Sequence, residues 1–271
     1  MLVRLRRVPL HVRRVLLIDG DIVAYQYAAQ VEREIEWEDG IWSTTADADE
    51  AKALVEEWEA RLQEKLQADE LVYCMSDPAR RNFRKEILPT YKANRAKTRP
   101  PMIRKELEAY LLAKPGAKSK PGIEADDVLG ILATNPKLYP GAEKIIVTLD
   151  KDLGTIPGLL YNWKKSDAGV VEVSLHDADF WHLTQTLTGD VTDGYAGCPG
   201  VGKVKAEKIL FGVSPPWGTV REAWAAVVDA FKKAGLGPVE ALTQARVARI
   251  LRHGEYDYRT NEPILWNPPT N

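Results

Sequence analysis

Acidic side chains follow three separate apolar runs of the chain. Asp19 comes directly after the first run, Asp77 follows the second after one serine, and Asp150 comes directly after the third. Because the carboxyl ends of parallel strands open into a common crevice, we expect these distant side chains to meet there. Asp152 lies two residues beyond Asp150 and faces the same way if the strand continues.

Two further groups of acids lie where a helix or a turn begins. Glu124, Asp126 and Asp127 open an apolar helix, and Asp190 and Asp193 precede a glycine-rich stretch. Glu124 and Asp127 share a helical face because they are three residues apart. Taken alone, an acid at a helix start is most often a cap for backbone N–H groups. Only the whole set argues for a different role.

So many carboxylates in one crevice require positive charge, because neighbouring carboxylates raise each other's pKa values. A site built only from oxygen atoms selects hard divalent ions, so the sequence predicts Mg²⁺, with Mn²⁺ as a substitute. The two cysteines are far apart and the four histidines are scattered, which argues against a zinc cluster. Two ions about 4 Å apart would support in-line hydrolysis of a phosphodiester.

The stretch 78–105 is strongly basic. It holds ten Lys or Arg residues and one Glu, a net charge of +9, whereas the whole chain has a net charge of −2. Ordinary protein surfaces mix both signs, so this excess favours a polyanionic partner over a merely solvated surface. We therefore expect a nucleic acid to bind here.

A glycine-rich turn follows the second group of acids. Gly197, Gly200 and Gly202 let the backbone approach a phosphate closely, and a helix that begins near residue 203 adds its positive N-terminus. Lys203 and Lys205 supply further positive charge. Glycines alone would indicate a plain turn, but G-x-x-G-x-G followed by Lys favours a grip on phosphates that reads no base sequence.

Strand-like and helical stretches alternate, which predicts an α/β fold with a parallel sheet flanked by helices. The 271 residues are 45% hydrophobic, enough for a full core. The predicted strands are 15–18, 71–75 and 144–149, with a hairpin over 159–173. The predicted helices are 46–67, 102–113, 128–133, 177–188 and 203–211, and 214–218 is a linker before a helical C-terminal part.

The rest of the sequence indicates where the protein is expected to act and in which oligomeric state. No run approaches 18 apolar residues, so no membrane span is expected. The basic leader, residues 1–14, lacks the apolar run of a secretion signal. The cysteine usage fits a reduced, cytoplasmic setting. Since no heptad pattern is present, we expect a monomer.

Five motifs in this order resemble the 5′ nuclease superfamily, which comprises flap endonucleases and 5′–3′ exonucleases with a PIN-like domain. The nearest resemblance is to the replication exonucleases of short-tailed bacteriophages, and it spans roughly residues 15–267. The motifs are LLIDGD (16–21), LPTYKANR (88–95), EADDVLG (124–130), TLDKDLGTIP (148–157) and GDVTDGYAGCPGVG (189–202).

The resemblance implies a role for each matching residue. A PIN-like catalytic domain would span 15–175, with a short helical arch at about 92–122. Residues 176–271 would form a helical DNA-binding region with a helix–turn–helix, or helix-hairpin-helix, module that sometimes holds K⁺. Acids matching those around the first metal are Asp19, Asp77, Glu124, Asp126, Asp127, Asp150 and Asp152, and those matching the second are Asp190 and Asp193.

The same resemblance implies that Tyr91 stacks against the base at the 5′ end. Lys92 and Arg95 would clamp the scissile phosphate, and Lys97 and Arg99 would contact DNA in the arch. The residues expected to be catalytic are Lys92, Arg95, Asp126 and Asp150. One departure is Asp21, which stands where many relatives have Ser, Thr or Asn.

The sequence therefore predicts a Mg²⁺-dependent 5′–3′ exonuclease or 5′ flap endonuclease. Its expected substrates are duplex ends, flaps and RNA–DNA hybrids, including RNA primers in phage replication. Two other hypotheses stay open at this point. One is an inactive, structure-specific DNA-binding protein of the same fold, and the other is a PIN-type ribonuclease.

Overall fold

The computed structural model describes residues 12–97, 99–212 and 218–269. It has a mixed α/β architecture, as predicted from the sequence. The strands are β1 (Arg14–Asp19), β2 (Arg33–Glu36), β3 (Trp42–Thr45), β4 (Glu70–Met75), β5 (Lys118–Ser119), β6 (Glu143–Val147), β7 (Gly158–Tyr161), β8 (Val170–Val173), β9 (Tyr256–Asp257) and β10 (Glu262–Pro263). The helices are α1 (Gly20–Gln30), α2 (Ala48–Leu66), α3 (Phe83–Ile87), α4 (Arg104–Ala113), α5 (Ala125–Thr134), α6 (Leu175–Thr188), α7 (Lys203–Phe211), α8 (Val220–Lys233) and α9 (Pro238–Ala248).

The central sheet has six strands in the order β5-β4-β1-β6-β7-β8. All its neighbours are parallel except β7 and β8, which form the predicted antiparallel hairpin. β1 lies between β4 and β6, so the loops after these three strands open at the same end of the sheet. The strand order therefore places the residues after β1, β4 and β6 next to one another.

Both faces of β1 are covered, as expected for a strand inside a parallel sheet. Leu16 and Ile18 point into one hydrophobic core, which α1, α2 and α4 complete. Val15 and Leu17 point into a second core on the opposite face, which α5 and the segment after α9 complete. This alternation explains why the run reads as continuously apolar in the sequence.

The helices α6 to α9 enclose a third core around Leu187, Val227 and Phe231. Arg252, in the segment after α9, links these helices to the sheet domain. It pairs with Asp179 of α6 and donates a hydrogen bond of 2.7 Å to the carbonyl of Thr155. The predicted division at residues 175 and 176 falls where α6 begins. The division itself and the helix-hairpin-helix assignment stay predictions.

Several sequence expectations can be compared with these elements. The helices predicted over 46–67, 102–113, 128–133, 177–188 and 203–211 are confirmed within a few residues as α2, α4, α5, α6 and α7. The ribbon of β2 and β3 was not predicted. Residues 1–11 of the basic leader and 213–217 of the predicted linker lie outside the described residues. No helix in the described part of the chain is both long and apolar enough to span a membrane.

The basic segment does not stand free of the domain. Leu107 and Leu111 of α4 are buried in the first core, so this part of the predicted arch lies against the sheet domain. The expectation that its cations lack acidic partners is wrong, because the partners come from other parts of the chain. These ion pairs are Arg80–Glu108, Arg81–Asp77, Arg84–Asp127, Arg95–Asp193, Arg99–Glu32 and Lys114–Glu59.

Candidate active site

A cleft of about 640 Å³ opens at the carboxyl end of the sheet. Acids line its floor, and cations from the basic segment and from the turn between β7 and β8 line its walls. The acids are Asp19, Asp21, Glu124, Asp126, Asp150 and Asp193, and the cations are Lys92, Arg95, Arg99, Arg104 and Lys164. The predicted convergence of acids from distant segments is therefore observed for these residues.

Asp19 is held at the floor of the cleft by two hydrogen bonds. It caps α1 by accepting the Ile22 N–H at 3.2 Å, and it accepts the Thr148 hydroxyl at 2.8 Å. The side chain is almost fully buried, at 1% exposure. Burial, reinforced by the nearby charge of Asp21, raises the pKa of Asp19 to about 7. A neighbouring positive charge would relieve this penalty.

Asp126 and Asp150 face Asp19 across the floor. Burial and the charges of Asp19 and Asp150 raise the pKa of Asp126 well above its ordinary value. Thr148 links the two strand ends, since its hydroxyl also accepts the Asp150 N–H at 3.0 Å. Asp150 in turn accepts the N–H of Asp152 at 2.8 Å. These bonds orient the acids after β1 and β6 toward one point.

A second group of acids lies beside the first. Asp152 lines a small cavity that adjoins the cleft and shares Glu124, Asp126, Asp150 and Asp193 with it. Burial, followed by the charge of Asp150, raises the pKa of Asp152 to about 7. Its Oδ1 is buried and has no hydrogen-bond partner. Lys151 Nζ lies 4.0 Å from this oxygen. A buried carboxylate oxygen without a hydrogen bond, among other carboxylates, suits a cation ligand.

Asp190 and Asp193 lie near this second group of acids, on a turn that is stabilised by hydrogen bonds from backbone N–H groups to the Asp190 side chain. Asp190 Oδ1 accepts the N–H groups of Thr192 and Asp193 at 2.7 and 3.2 Å. Lys151 Nζ lies 3.8 Å from Asp190 Oδ2. Asp190 is not part of the cleft lining, but its charge contributes to the raised pKa of Asp152.

Lys92 and Arg95 reach the acids from the opposite wall. Lys92 Nζ lies 2.5 Å from Glu124 Oε1 and 3.7 Å from Asp193 Oδ2, and Arg95 Nη2 lies 2.5 Å from Asp193 Oδ1. Burial alone would raise the pKa of Glu124, but the charges of Lys92 and Arg84 outweigh it and lower this pKa to about 2. Glu124 is therefore ionised, and the positive charges of Lys92 and Arg84 balance its negative charge.

Tyr91 does not present its ring to the cleft. It is 3% exposed, and its hydroxyl donates to Glu124 at 2.8 Å and to Asp193 at 3.2 Å. The Arg84 guanidinium and the Lys92 ammonium lie over its ring. The expected stacking of a base on Tyr91 is therefore not supported, because the ring has no open face.

Two acids expected at the metals are engaged elsewhere. Asp127 is fully buried, and its two oxygens each accept a hydrogen bond of 2.7 Å from Arg84. Asp77 accepts the N–H of Gly122 at 2.9 Å and an Arg81 N–H at 2.8 Å, and it does not line the cleft. In this structure both carboxylates join parts of the fold, and their expected role at the metals stays a prediction.

The predicted DNA-contacting residues differ in whether they line the cleft and in whether their polar groups are already hydrogen-bonded. Arg99 lines the cleft and pairs with Glu32, whereas the side chain of Lys97 lies outside the described residues. The N–H of Gly197 is taken by Gln244 at 2.8 Å, and a Cβ on Gly197 would meet backbone atoms at 2.2 Å. Its role is thus close packing of the backbone, which corrects the expected phosphate contact.

The remaining part of the glycine turn is open. No atom lies within 4 Å of a Cβ placed on Gly200 or Gly202, and Gly202 caps α7. Lys203 Nζ lies 5.5 Å from the centre of the Trp181 ring, and Lys205 donates to the Gly200 carbonyl at 3.2 Å. This end of α7 remains free to meet a phosphate.

Sequence reasoning missed several residues of the cleft. Asp21 lines the floor, and its carboxylate accepts the hydroxyl of Ser76 at 2.5 Å. Burial raises the pKa of Asp21 as well. Its i, i+2 spacing from Asp19 was the available signal, the same spacing that separates Asp150 from Asp152. Nothing in the sequence singled out Lys164 or Arg104, because sheet topology brings them to the cleft.

The acids share a cleft but not a completed coordination shell. Over residues 12–97, 99–212 and 218–269, no three His, Cys, Asp or Glu side chains stand in an arrangement that could already hold a metal ion. The donor chemistry nevertheless fits a hard cation, because it consists of carboxylate oxygens, the pKa values of Asp19 and Asp152 are raised, and the buried Asp152 Oδ1 accepts no hydrogen bond. Rotation of side chains would be needed to complete a site.

Comparisons with known proteins identify the family of this chain. Residues 14–166 match the family model described as 5′-3′ exonuclease, N-terminal resolvase-like domain. An exodeoxyribonuclease of Enterobacteria phage T3 is 31% identical over 94% of this chain and 93% of its own length. An exonuclease of Escherichia phage T7 is 29% identical over the same shares.

Solved structures support the fold. The zinc-bound 5′-exonuclease of phage T5 superposes with a TM-score of 0.54 at 16% identity, covering 87% of this chain and 93% of that one. The T5 D15 protein crystallised with metal ions gives a TM-score of 0.52 over the same shares. From the matched family model and the phage relatives together, the chain belongs to the 5′–3′ exonuclease family of nucleases, within the 5′ nuclease superfamily.

Proposed function

We propose that this nuclease hydrolyses phosphodiesters of DNA at or near a 5′ end and that it uses two Mg²⁺ ions, for which Mn²⁺ can substitute. The observation that carries the proposal is the meeting of Asp19, Asp126 and Asp150 in one cleft, where burial and neighbouring carboxylates raise the pKa values of Asp19 and Asp126. A divalent cation would relieve the repulsion between these buried carboxylates, so binding of such a cation to the site is energetically favourable.

The roles of the chain's residues follow from their positions. Asp19, Asp126, Asp150 and Glu124 would hold one ion, and Asp152, Asp190 and Asp193 the other. When bound, such ions lower the pKa of water and neutralise the phosphate and the leaving oxygen. Lys92 and Arg95 would then bind the scissile phosphate, where a fixed positive charge stabilises the transition state more than the substrate.

The substrate would be held on both sides of the cleft. The open turn at Gly200 and Gly202 and the start of α7 would grip the duplex backbone, and a K⁺ ion at this turn is part of the proposal. Arg99 would guide the single-stranded end, with Lys97 beside it in sequence. Acceptance of flaps and of RNA–DNA hybrids such as primers, by a monomer in the host cytoplasm, is also part of the proposal.

A single experiment separates the candidate functions. Duplex DNA, a 5′-flap substrate, an RNA–DNA hybrid and single-stranded RNA, each labelled at the 5′ end, are incubated with Mg²⁺, Mn²⁺ or EDTA. The proposal expects short labelled products from the DNA substrates with either ion and none with EDTA. Binding without cleavage would identify an inactive DNA-binding protein, and cleavage of single-stranded RNA alone would identify a ribonuclease.

A further inference from the structure

A two-stranded ribbon, residues 33–45, stands at the surface between α1 and α2. It consists of β2 and β3, and no other strand of the described chain pairs with either of them. Four large apolar side chains are exposed on it: Ile35 at 38%, Trp37 at 57%, Ile41 at 63% and Trp42 at 59%. None of these four belongs to a hydrophobic cluster of the described residues.

This concentration of exposed apolar groups is unusual for a monomer surface. Exposed apolar patches with a polar rim mark sites of protein interaction, and tryptophan is enriched at such sites. The ribbon also has two free edges, each with backbone groups that can pair with an added strand. A ribbon of two strands gains stability when a third strand joins it.

The two faces of the ribbon differ in chemistry. Residues directly opposite each other share a face, so Glu34 and Glu36 lie on the face of their partners Thr44 and Trp42. Ile35 lies on the other face with Ser43, whose hydroxyl accepts the Trp37 indole N–H at 2.8 Å. One face is therefore acidic with a tryptophan, and the other carries Ile35 together with Arg33, Ser43 and Thr45.

The charge of the ribbon argues against nucleic acid as its partner. Glu34, Glu36 and Glu38 are exposed, whereas Arg33 is paired with Glu50. These carboxylates repel phosphates and attract basic side chains. The ribbon thus has the opposite character to the cation-lined walls of the cleft.

We propose that the ribbon binds an extended segment of a partner protein, added as a third strand, in which basic and apolar residues alternate. Side chains of a strand alternate between the two faces of a sheet. An added strand therefore places every second residue against Ile35 and Trp37, and the residues between them against Glu34 and Glu36. Backbone pairing gives affinity and the alternation gives specificity, as in other cases of strand addition.

The position of the ribbon suggests what this binding achieves. Glu32, at its base, accepts the Arg99 guanidinium at 2.9 Å and the Met102 N–H at 2.9 Å. Arg99 also lines the cleft. A partner bound to the ribbon would lie beside the cleft, so a basic, DNA-associated protein could hold the nuclease near its substrate.

The test uses the full chain and two labelled peptides of eight residues. One alternates lysine with valine, the other alternates glutamate with valine, and fluorescence anisotropy measures their binding. We expect the lysine peptide to bind at least tenfold more tightly. Glu34→Lys combined with Glu36→Lys should invert this preference, and Trp37→Thr should weaken binding of the lysine peptide about tenfold. DNA affinity and cleavage should change less than twofold in these variants.

A matched control separates a specific site from general attraction to acidic surface. Glu64→Lys combined with Glu172→Lys makes the same charge change at exposed positions outside the ribbon. This variant should bind the lysine peptide within twofold of the parent. Equal binding of both peptides, equal loss in the control, or weakened DNA binding by the ribbon variants would each overturn the proposal.

Discussion

The ammonium of Lys92 lies 2.5 Å from a carboxylate oxygen of Glu124, at the wall where the basic segment meets the start of α5. Lys92 also has a left-handed backbone, with φ of 53°, and its N–H donates to the Asp193 carbonyl at 2.8 Å. A lysine accepts this conformation only when the surrounding contacts favour it. The strained backbone therefore holds the cation at both groups of acids.

Replacing Lys92 should slow the chemical step more than it weakens binding. We expect Lys92→Met to lower the single-turnover cleavage rate by about 10²–10³-fold, in the range seen when one stabilising group at a developing charge is lost. Lys92→Arg should recover part of the rate. Lys137→Met, an exposed control far from the cleft, should keep it. A Lys92→Met variant with the parental rate would remove Lys92 from the proposed machinery.

The acids on the floor of the cleft should be needed for cleavage but not for folding. Asp126→Asn and Asp150→Asn each remove a negative charge from the cleft, so Mg²⁺-dependent cleavage should fall by at least about 10³-fold. DNA affinity measured with Ca²⁺ should change by only a few fold, because phosphate contacts elsewhere dominate it. Asp167→Asn is the exposed control. Normal turnover in both floor variants would refute the metal assignment.

Arg84 should matter for stability. It is 3% exposed, donates to both oxygens of Asp127 and also donates to the carbonyls of Val247 and Arg249. Arg84→Met leaves a buried charge without its partner, so the free energy of unfolding should fall by about 3–5 kcal/mol. Urea denaturation measures this value.

An exposed ion pair provides the comparison for Arg84. Arg61 pairs with Glu57, and both side chains are about 60% exposed. Arg61→Met should change the unfolding free energy by less than about 1 kcal/mol. If the Arg84 and Arg61 variants lose similar stability, Arg84 does not carry the structural role assigned to it.

The buried His182 should make the protein less stable in mild acid. Burial, with the nearby charge of Arg249, lowers its pKa well below 6.5. The unfolded chain then binds a proton near pH 6.5 that the folded protein does not, so the free energy of unfolding falls as pH falls below about 6.5. The slope from this group reaches about 1.4 kcal/mol per pH unit.

Unfolding measured from pH 8 to pH 5 checks this dependence. His182→Gln removes the titrating group and should flatten the slope, even if its stability at pH 8 is lower. His253→Gln, at an exposed position, should keep the parental slope. A parental slope in His182→Gln would show that other groups cause the acid sensitivity.

Gly194, on the turn that carries Asp190 and Asp193, should tolerate substitution poorly. Its φ is +74°, and a Cβ would meet the Thr90 carbonyl oxygen at 2.6 Å. Gly194→Ala should thus push the turn of Asp193 away from Lys92 and reduce both stability and cleavage. Gly141→Ala has a similar φ of +77° but open space, so it isolates the backbone cost of about 1 kcal/mol. Equal losses in the two variants would argue against the contact.

Much of the sheet and part of the site could be predicted from the sequence. Asp19 and Asp150 directly follow apolar runs, and parallel strand ends meet by geometry, so their convergence followed from local pattern. The role of Asp127 could not be predicted, because it depends on Arg84, which lies 43 residues earlier. The burial of Tyr91 could not be predicted for the same reason, since burial depends on tertiary contacts.

The ribbon at 33–45 escaped detection because its strands do not look like core strands. Glu34 and Glu36 interrupt the apolar residues, and short exposed strands give a weak periodic signal. Asp39-Gly40 between the two strands was the remaining turn signal. Sequence patterns thus identified several elements that build the core, but they missed α1, which is part of the first core, and this outward-facing ribbon.

The position of β1 in the middle of the sheet has a consequence for how this enzyme can diverge. Its floor acids follow the central strands β1 and β6 or begin α5, whereas the sheet ends in a two-residue strand, β5, and in the antiparallel β8. Insertions or deletions at those margins would leave the chemistry undisturbed. Loops near the rim are therefore free to acquire new lengths while the centre stays fixed.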